Sequence, residues 1–365
     1  MSRRATGAAL ISALLIAAVI ASLAVVLATR QQFAIANVAQ LRGSLNAETL
    51  VMALEIQAMT VLQADTSNGP LDSALDTWAQ ADLLAEDRGL SAHGQLVDLQ
   101  GRFNLTTLIF DPAALAALVA VSADSGGNQD AGAESGITAA ALRAVAGAAG
   151  VGLGGASSVG PGNRPRALTA QQVAVVRFVL LLQALEIDPV IVPAVLDWLD
   201  PDGDIRYPNG AEDAYYATLP VAYRAANQRF VDPSELLLVR GVTPEIYARL
   251  RPFVTALDQA TPLNVNTAPS EILMSLTPGI DRTKAASLLD ARAFQPFTSV
   301  GNLAANPLLG GMPFAASGLA TASSTFELRV RVQGEGPPKL YRSIIRRNGN
   351  SAISLLGRQQ IYVDD

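Results

Sequence analysis

A long apolar run near the amino terminus constrains the fold of this chain more than any other feature. Every residue from Ala8 to Ala28 is apolar or a small hydroxyl, and the run lies between the pair Arg3-Arg4 and Arg30. A helix of about 20 apolar residues crosses the ~30 Å hydrocarbon core of a membrane. The run therefore predicts one membrane-spanning helix, and the arginines before it place the amino terminus in the cytoplasm and the rest of the chain outside.

The alternative for this run is a secretory signal peptide, whose apolar region usually spans only about 7–15 residues and ends in a small-residue cleavage site. Beyond the run, polar residues appear, while large apolar residues continue at roughly helical spacing. We therefore expect one continuous helix to about Gln63, with a membrane part at 8–29, a part outside the membrane at 30–64, and an end before Asn68-Gly69-Pro70.

The densest group of charges lies between Asp197 and Asp213, a stretch called here the acidic loop. Its sequence, DWLDPDGDIRYPNGAED, holds six carboxylates among Pro and Gly residues. Asp200, Asp202 and Asp204 alternate as in the first half of an EF-hand calcium loop, and Glu212 stands near the position of the closing bidentate carboxylate. Carboxylate oxygens suit calcium, and a chain with no Cys and one His offers little to softer metals.

The resemblance to an EF-hand is incomplete, because Glu212 falls one place late and Ile205 stands where that loop needs Gly. We therefore predict a calcium loop of another kind at 197–213. Two alternatives remain: a solvated acidic turn that caps a helix, and a hydrolase site that uses paired carboxylates as acid and base. The predicted calcium ligands are Asp200, Asp202, Asp204, Glu212 and Asp213.

The globular sequence outside the acidic loop indicates an α+β fold. Leu71 to Arg88 is predicted as a helix, and the run that begins at Asp98 and includes Phe103 is predicted as a half-buried strand. Near the carboxyl terminus, apolar and polar residues alternate from Phe326 to Val332. Two further strands, Leu340–Arg346 and Ala352–Val363, flank the hairpin signal Asn348-Gly349. One early strand and three late ones predict an antiparallel sheet packed on the long helix.

The middle of the chain has a different character. Residues 122–165 are rich in Gly, Ala and Ser and are predicted to be flexible, and helical spacing then leads through two segments into the acidic loop. The expected division is a sheet domain from 65–110 and 319–365, with a large, mostly α-helical domain inserted at 111–318.

One segment of this middle region resembles the helix-hairpin-helix modules of DNA-binding proteins, through Leu263-Asn-Val-Asn-Thr-Ala and the turn at Gly279. The second Gly of such a turn is missing, and Asp281 stands where a phosphate would bind. A net charge of −6 and a pI near 5.0 also argue against nucleic-acid binding. We expect a packing unit here, and a membrane-anchored DNA-binding protein is the alternative function.

The amino terminus resembles the leader of type IV pilins and pseudopilins, because a short basic segment, residues 1–7, ends at a Gly immediately before the apolar run. The resemblance implies that a prepilin peptidase cuts after Gly7, leaving Ala8 as the new amino terminus, with methylation as a further processing step. Most members carry Glu at the fifth residue after the cut, where this chain has Ser12. That departure is typical of the K-type minor pseudopilin of type II secretion systems.

Five motifs in order strengthen the resemblance to K-type minor pseudopilins. They are Asp197-Trp-Leu-Asp, Gly210-Ala-Glu-Asp, Tyr223-Arg-Ala-Ala-Asn-Gln, Ser234-Glu-Leu and Leu263-Asn-Val-Asn-Thr-Ala. The resemblance implies a pilin-like fold and a non-enzymatic subunit at the tip of the periplasmic pseudopilus, held in the bacterial inner membrane before assembly. It also implies partners: the I- and J-type minor pseudopilins in a tip complex, and contacts to the H-type and the major pseudopilin. An uncharged Ser12 suits a tip, because a Glu there would lack the neighbouring amino group that pairs with it.

Overall fold

A computed structural model of the chain describes residues 3–67, 69–109, 168–334, 337–348 and 352–362, together with residue 147. Inside the first of these ranges, the side chains of residues 3–12 and 36–42 are not described. Of Gly7, Ala8 and Ser12 the structure therefore describes only the backbone, and the segment 122–165, apart from residue 147, lies outside the described part of the molecule. The predictions made for them stay predictions.

Helix α1 runs from Arg3 to Asp65 and ends close to the predicted Gln63. Its segment Ala13–Ile35 has a mean hydropathy of 2.3 and none of it is buried, so its length and composition suit a membrane span. The second half of α1 buries one face. Its buried apolar residues recur every three or four positions, as expected for a helix packed along one side. They are Ala47, Leu50, Val51, Leu54, Ala58 and Leu62.

Within the described residues, five strands form an antiparallel sheet in the order β1-β2-β7-β8-β9. Their bounds are β1 Leu83–Asp87, β2 Leu90–Asp98, β7 Thr325–Gln333, β8 Lys339–Asn348 and β9 Ala352–Ile361. The alternating residues of β7 turn Phe326, Leu328, Val330 and Val332 into the core shared with α1. Glu55 of α1 is buried there and accepts hydrogen bonds from Ser343 Oγ (2.6 Å) and Arg358 Nε (2.8 Å), which attaches the helix to β8 and β9. The three predicted late strands are confirmed.

Two predictions for residues 71–105 are wrong. The segment predicted as a helix forms only a short helix α2 (Thr77–Gln80) and then strand β1. A tight turn follows, with φ of 49° at Arg88 and 80° at Gly89, a left-handed conformation that Gly accepts at low cost and that suits a two-residue hairpin. The early strand lies at Leu90–Asp98 rather than beyond it, because the chain turns where Asp98 Oδ1 accepts a hydrogen bond from Gln100 N (2.8 Å).

The chain between β2 and β7 forms a second, mostly helical unit, called here the insert. Its helices are α3 (Ala170–Ala184), α4 (Val192–Leu199), α5 (Asp213–Tyr216), α6 (Pro244–Leu250), α7 (Ser270–Met274), α8 (Arg282–Phe294) and α9 (Val300–Ala304). Short 3-10 helices lie at Leu105–Leu108, Pro189–Ile191, Pro233–Leu238, Arg251–Phe253 and Pro307–Leu309. Two parallel strand pairs join β3 (Phe103–Asn104) to β4 (Val254–Thr255), and β5 (Leu263–Asn264) to β6 (Leu319–Ala320).

Helix α3 forms the centre of the insert. Thr169 Oγ1 accepts a hydrogen bond from Gln172 N (3.2 Å), and the Gln172 side chain accepts one from Thr169 N (3.0 Å), a reciprocal cap that fixes where the helix begins. Most of its side chains are buried, which marks a helix surrounded by other elements. Phe103, Leu105 and Leu108, which the predicted boundary at 110 assigns to the sheet domain, pack in this core instead.

The insert leaves the sheet between two neighbouring strands. Asp98, the last residue of β2, lies opposite Phe326 of β7, and Leu99 N donates to Thr325 O (3.1 Å). Asn264 of the insert bonds to the sheet side of the junction through Asp98 Oδ2 (3.1 Å) and Ser323 Oγ (2.8 Å). A long helix, an antiparallel sheet and a mostly helical insert confirm the predicted α+β class.

Candidate metal centre

The acidic loop starts at the end of helix α4. This helix is apolar on nearly all sides, so Asp197 within it is fully buried, and Asp200 follows as the residue that caps its carboxyl end. The loop returns at Glu212, which stands immediately before α5. The loop therefore brings the ends of two helices together, and the carboxylates at those ends meet.

Three of the five predicted calcium ligands come together. One carboxylate oxygen from each of Asp200, Asp202 and Glu212 lies within 4.8 Å of the others, with Asp200 and Glu212 buried and Asp202 exposed. Among the described residues, the buried Asp200 Oδ1 and Glu212 Oε1 have no hydrogen-bond partner. Buried polar atoms in folded proteins are nearly always paired. Two such oxygens on residues of one carboxylate group therefore fit a cation.

The electrostatics of the group point the same way. Burial and the negative charges of Asp197, Asp200 and Asp202 raise the pKa of Glu212 to about 7. Burial also raises the pKa of Asp200, against the opposing effect of Arg206. Carboxylates whose pKa values are raised by one another's charge are stabilised by any cation placed between them. All donors are oxygens, so the hard cation calcium suits the group better than a softer metal.

The structure does not bring Asp204 and Asp213 into this group. The Asp204 side chain is exposed, and its backbone N–H donates to Asp202 Oδ1 (2.9 Å). Asp213 Oδ1 accepts from Ala225 N (3.0 Å), and its other oxygen lies 3.9 Å from Arg224 Nε. These two carboxylates help to shape the loop, and their part in metal binding stays a prediction.

Two residues of the acidic loop that the predicted ligand set omits shape its interior. Arg206 Nη1 donates to Asp197 Oδ1 (2.9 Å) and also to Asp200 Oδ2, and Arg206 N donates to Asp197 Oδ2 (3.1 Å). A side chain at Gly210 would stand 2.2 Å from Asp197 Oδ2, so only Gly fits there. The buried Asp197 is thus a partner for Arg206. Because Arg206 bonds to only one oxygen of Asp200, the other oxygen of Asp200 is free for a cation.

Aromatic side chains pack against one another beside the acidic loop. Trp198 packs edge-on against Tyr216 with ring centres 5.2 Å apart, and Tyr223 stacks on Tyr216 at 5.2 Å. Arg240 lies over the Tyr215 ring at 4.8 Å and donates to Gly210 O (3.0 Å). These rings pack against one another, so they stabilise the chain around the acidic loop.

The segment that resembles a helix-hairpin-helix turn binds its own polar groups. Gly279 has a φ of 97°, and Asp281 Oδ1 accepts from Lys284 N (2.8 Å) to begin helix α8. Lys284 Nζ donates to Gly279 O (2.8 Å), and Arg282 Nη2 lies 3.5 Å from Glu186 Oε1. Both basic residues of the turn are thus engaged within the insert, as expected for a packing unit.

A second acidic group, Asp65, Asp72 and Asp76, lies at the carboxyl end of α1. Asp72 receives two hydrogen bonds from Arg347 Nη2 (2.6 and 2.5 Å), and Asp65 Oδ2 lies 3.3 Å from Arg347 Nη1. Burial nevertheless raises the pKa of Asp72 to about 6. This group, called here the junction triad, already contains its own cation, and the sequence offered no local pattern that could reveal it.

Comparison with known proteins assigns the chain. Two family models, each described as type II secretion system (T2SS), protein K, match residues 101–259 and 263–323. The type II secretion system protein K of Pseudomonas aeruginosa is 30% identical over 310 residues, 82% of this chain and 76% of that protein. That of Pectobacterium carotovorum is 51% identical over 80 residues, 21% of this chain and 24% of that protein.

The fold also has a solved counterpart. A chain in the crystal structure of the GspK-GspI-GspJ complex from the type 2 secretion system of enterotoxigenic Escherichia coli superposes with a TM-score of 0.65. At 20% identity it covers 89% of this chain and 100% of its own length, so the likeness extends over sheet and insert alike. The long helix on an antiparallel sheet is therefore the pilin-like arrangement, and the chain belongs to the family of type II secretion system protein K, a minor pseudopilin.

Proposed function

We propose that this protein forms the tip of a type II secretion pseudopilus, where it starts assembly and supports the export of folded proteins across the outer membrane. One observation carries the proposal. The insert joins the sheet at the carboxyl end of α1, where Arg347 contacts Asp65, and so lies at the end farthest from the apolar segment Ala13–Ile35. A subunit that carries so large a unit beyond its helix leaves no room for another subunit above it.

The outward face of α1 supplies the surface for neighbours below. Leu45, Met52 and Ile56 are 55%, 48% and 62% exposed and lie near one another on successive turns of the helix. Exposed apolar side chains in a row favour packing against another helix. The solved complex that contains the structural counterpart supports I- and J-type minor pseudopilins as partners. We extend the proposal to the H-type and the major pseudopilin as the next subunits.

Processing and location follow from the same proposal. A prepilin peptidase would remove residues 1–7 after Gly7 and leave Ala8 at the amino terminus, with methylation as a further step. The apolar segment would hold the protein in the inner membrane in a single pass, with the sheet and insert in the periplasm. The role is structural, and it gives the clustered carboxylates no catalytic task.

We further propose that the acidic loop binds calcium, with Asp200, Asp202 and Glu212 as the central ligands and Asp204 and Asp213 as outer ones. A bound calcium ion would supply the positive charge that the two unpaired oxygens lack. Ligands from both ends of the loop would then hold α4 and α5 together. The calcium would act as a permanent part of the fold, because the region outside the membrane is rich in this ion.

Co-purification tests the assembly proposal. The full chain is expressed with the I- and J-type partners and active prepilin peptidase, and the complex is isolated in detergent. We expect a ternary complex and a processed amino terminus at Ala8. Ile56→Asp should abolish the complex by placing a charge on the outward face of α1, whereas Leu237→Asp, a matched change on the insert at a residue 42% exposed, should not. An uncut leader, or a complex equally weakened by both variants, would refute the proposal.

A further inference from the structure

A groove of about 1050 Å³ separates the insert from the face of the sheet that points away from α1. Its floor is formed by residues of β7, β8 and β9 that alternate with the core residues, so they face away from the helix. Its opposite wall comes from residues 231–234 and from residues 247–258 of the insert. The groove is therefore a boundary between the two units, and both contribute to it.

Positive charge dominates the lining. Five arginines and three carboxylates line the groove, an excess of two positive charges in a chain whose net charge is −6. Each carboxylate already has an arginine partner: Glu327 has Arg329 (2.8 Å), Asp232 has Arg342 (3.0 Å) and Asp258 has Arg346 (2.9 Å). Arginines outside these three pairs therefore add positive charge to the groove.

Arg102 is the clearest of them. Within the described part of the chain, its half-buried guanidinium donates no hydrogen bond and forms no ion pair, and burial lowers its pKa while leaving it charged at neutral pH. Glu327 is the carboxylate that acts most strongly on its charge, and Arg329 and Arg342 already contact Glu327 at 2.8 and 3.7 Å. A half-buried guanidinium without a carboxylate partner gains a charge-assisted hydrogen bond from an anion that enters the groove.

The backbone holds Arg102 in this position. A side chain at the preceding Gly101 would stand 2.8 Å from Thr267 Oγ1 and 2.9 Å from Thr267 O. The turn thus packs directly against the insert, and Arg102 N donates to Leu99 O (3.2 Å) to close it. Arg102 is therefore fixed at the root of the groove and does not reach it from a mobile surface loop.

The groove is also suited to a polypeptide. Four residues of β9, Leu356, Gly357, Gln359 and Ile361, line the groove. Apolar side chains lie beside the charges, with Val231 73% and Leu356 46% exposed. An extended chain can use apolar contacts and arginines together.

We propose that this groove is a docking site for an extended acidic segment of a partner protein, which places a carboxylate on Arg102. Arginine binds carboxylates through two parallel hydrogen bonds, so Arg102 supplies direction as well as charge. This site is separate from the acidic loop and from the outward face of α1.

A binding assay with the full chain in detergent tests the docking site. The probe is a fluorescein-labelled peptide of alternating glutamate and valine, because alternation puts all glutamates on one side of an extended chain. We expect saturable, salt-sensitive binding by fluorescence anisotropy and a loss of about tenfold or more in affinity, roughly 1.4 kcal/mol, for Arg102→Gln. Arg331→Gln, which removes the same charge from an exposed residue of β7 outside the groove, should bind like the unchanged protein.

A second measurement keeps the test decisive if Arg102→Gln folds poorly. The chain has no cysteine, so Leu356→Cys gives a single thiol in the groove. The peptide should slow maleimide labelling at this thiol and leave Leu237→Cys on the insert unaffected. Equal binding of a glutamine-valine peptide, unchanged labelling at Leu356→Cys, or displacement by inorganic phosphate at equal ionic strength would each overturn the docking site.

Discussion

Two groups of three carboxylates lie in the described part of this molecule, and they differ in how their charge is balanced. In the acidic loop and in the junction triad alike, oxygens of three acidic side chains come within 4.8 Å of one another. The junction triad receives Arg347 at hydrogen-bond distance. The acidic loop has Arg206 on Asp197 and Asp200, but it retains two buried oxygens without a partner.

The difference shows that carboxylate density alone does not identify a metal site. What distinguishes the two groups is the number of counter-charges that the protein itself supplies. Both groups have raised pKa values, about 6 at Asp72 and about 7 at Glu212, so burial alone does not separate them either. A group with its own cation serves the fold directly, whereas a group with unpaired oxygens is the one that an ion from solution would stabilise.

The chain offers a separate reporter for each group. It has two tryptophans, and both are buried. Trp78 packs against Phe326 with ring centres 5.0 Å apart, and Arg347 lies over the Phe326 ring. Trp198 packs against Tyr216 beside the acidic loop. Replacing either one by Phe leaves a single tryptophan. Unfolding near the junction triad and near the acidic loop can therefore be followed separately in the two single-tryptophan variants.

The largest expected effect comes from removing the internal cation. Arg347→Gln should lower the free energy of unfolding by about 3–5 kcal/mol, because it leaves two buried carboxylates without their partner. Urea denaturation followed by Trp78 fluorescence measures this, with Arg331→Gln as an exposed control expected to change stability by less than ~0.5 kcal/mol. If calcium restores the stability that Arg347→Gln loses, the junction triad also binds calcium and the two groups do not differ in how their charge is balanced.

Removing calcium should have the next largest effect, confined to the acidic loop. At a calcium concentration about 100 times the dissociation constant, binding stabilises the folded state by roughly 2.7 kcal/mol. A chelator should therefore shift the Trp198 transition to lower urea and leave the Trp78 transition unchanged. If the Trp198 transition is the same with and without chelator, the acidic loop is a solvated turn and binds no calcium.

The pH should change calcium affinity with a definite sign. Without calcium, the folded pKa of Glu212 is about 7 against an ordinary value of 4.5, so the folded protein holds a proton that the unfolded chain releases between these values. Stability of the calcium-free insert therefore falls as pH rises through this window. Calcium must displace the same proton, so its affinity at pH 5.5 should be roughly 25-fold weaker than at pH 7.5.

Isothermal titration calorimetry at the two pH values measures this difference. Glu212→Gln supplies the control, because it removes the titrating group and should flatten the pH dependence while weakening binding. Equal calcium affinities at both pH values in the unchanged protein would show that Glu212 is not a ligand.

The smallest effect separates the central ligands from the outer ones. Asp202→Asn should reduce calcium affinity by about tenfold or more, and Asp204→Asn by less than about threefold, because only the first carboxylate lies in the group of three. Asp290→Asn, an exposed acid on α8, should leave the affinity unchanged. An equal loss for Asp202→Asn and Asp204→Asn would favour the full predicted ligand set over the geometric group.

The sequence predicts the parts of the fold in which one periodicity prevails. In helix α1 the helical spacing, and in strands β7 to β9 the alternation, continue for long enough to exclude the other type of secondary structure. The region from Leu71 to Arg88 failed because short apolar runs fit both a helix and a strand. There the decisive feature was the left-handed turn at Arg88-Gly89, which starts a hairpin.

The sequence predicted which stretch of the chain forms the candidate site. It could not predict which side chains of that stretch come together. Spacing located the acidic loop, but only the fold shows that Asp197 turns inward to Arg206 while Asp204 stays exposed. The junction triad was invisible, because Arg347 is far along the chain from Asp65 and Asp72. Contacts between distant residues depend on tertiary packing, which local patterns do not encode.

The insertion point gives the molecule a modular architecture. Strands β2 and β7 are hydrogen-bonded neighbours, so the entire insert is, in connectivity, the loop of a β-hairpin. The ends of such a loop stay adjacent whatever the loop contains, and domain insertion is tolerated where the termini of the inserted unit are close together. The pilin-like scaffold can therefore gain, lose or exchange its large unit in evolution, or in the laboratory, without a change in the order of its strands.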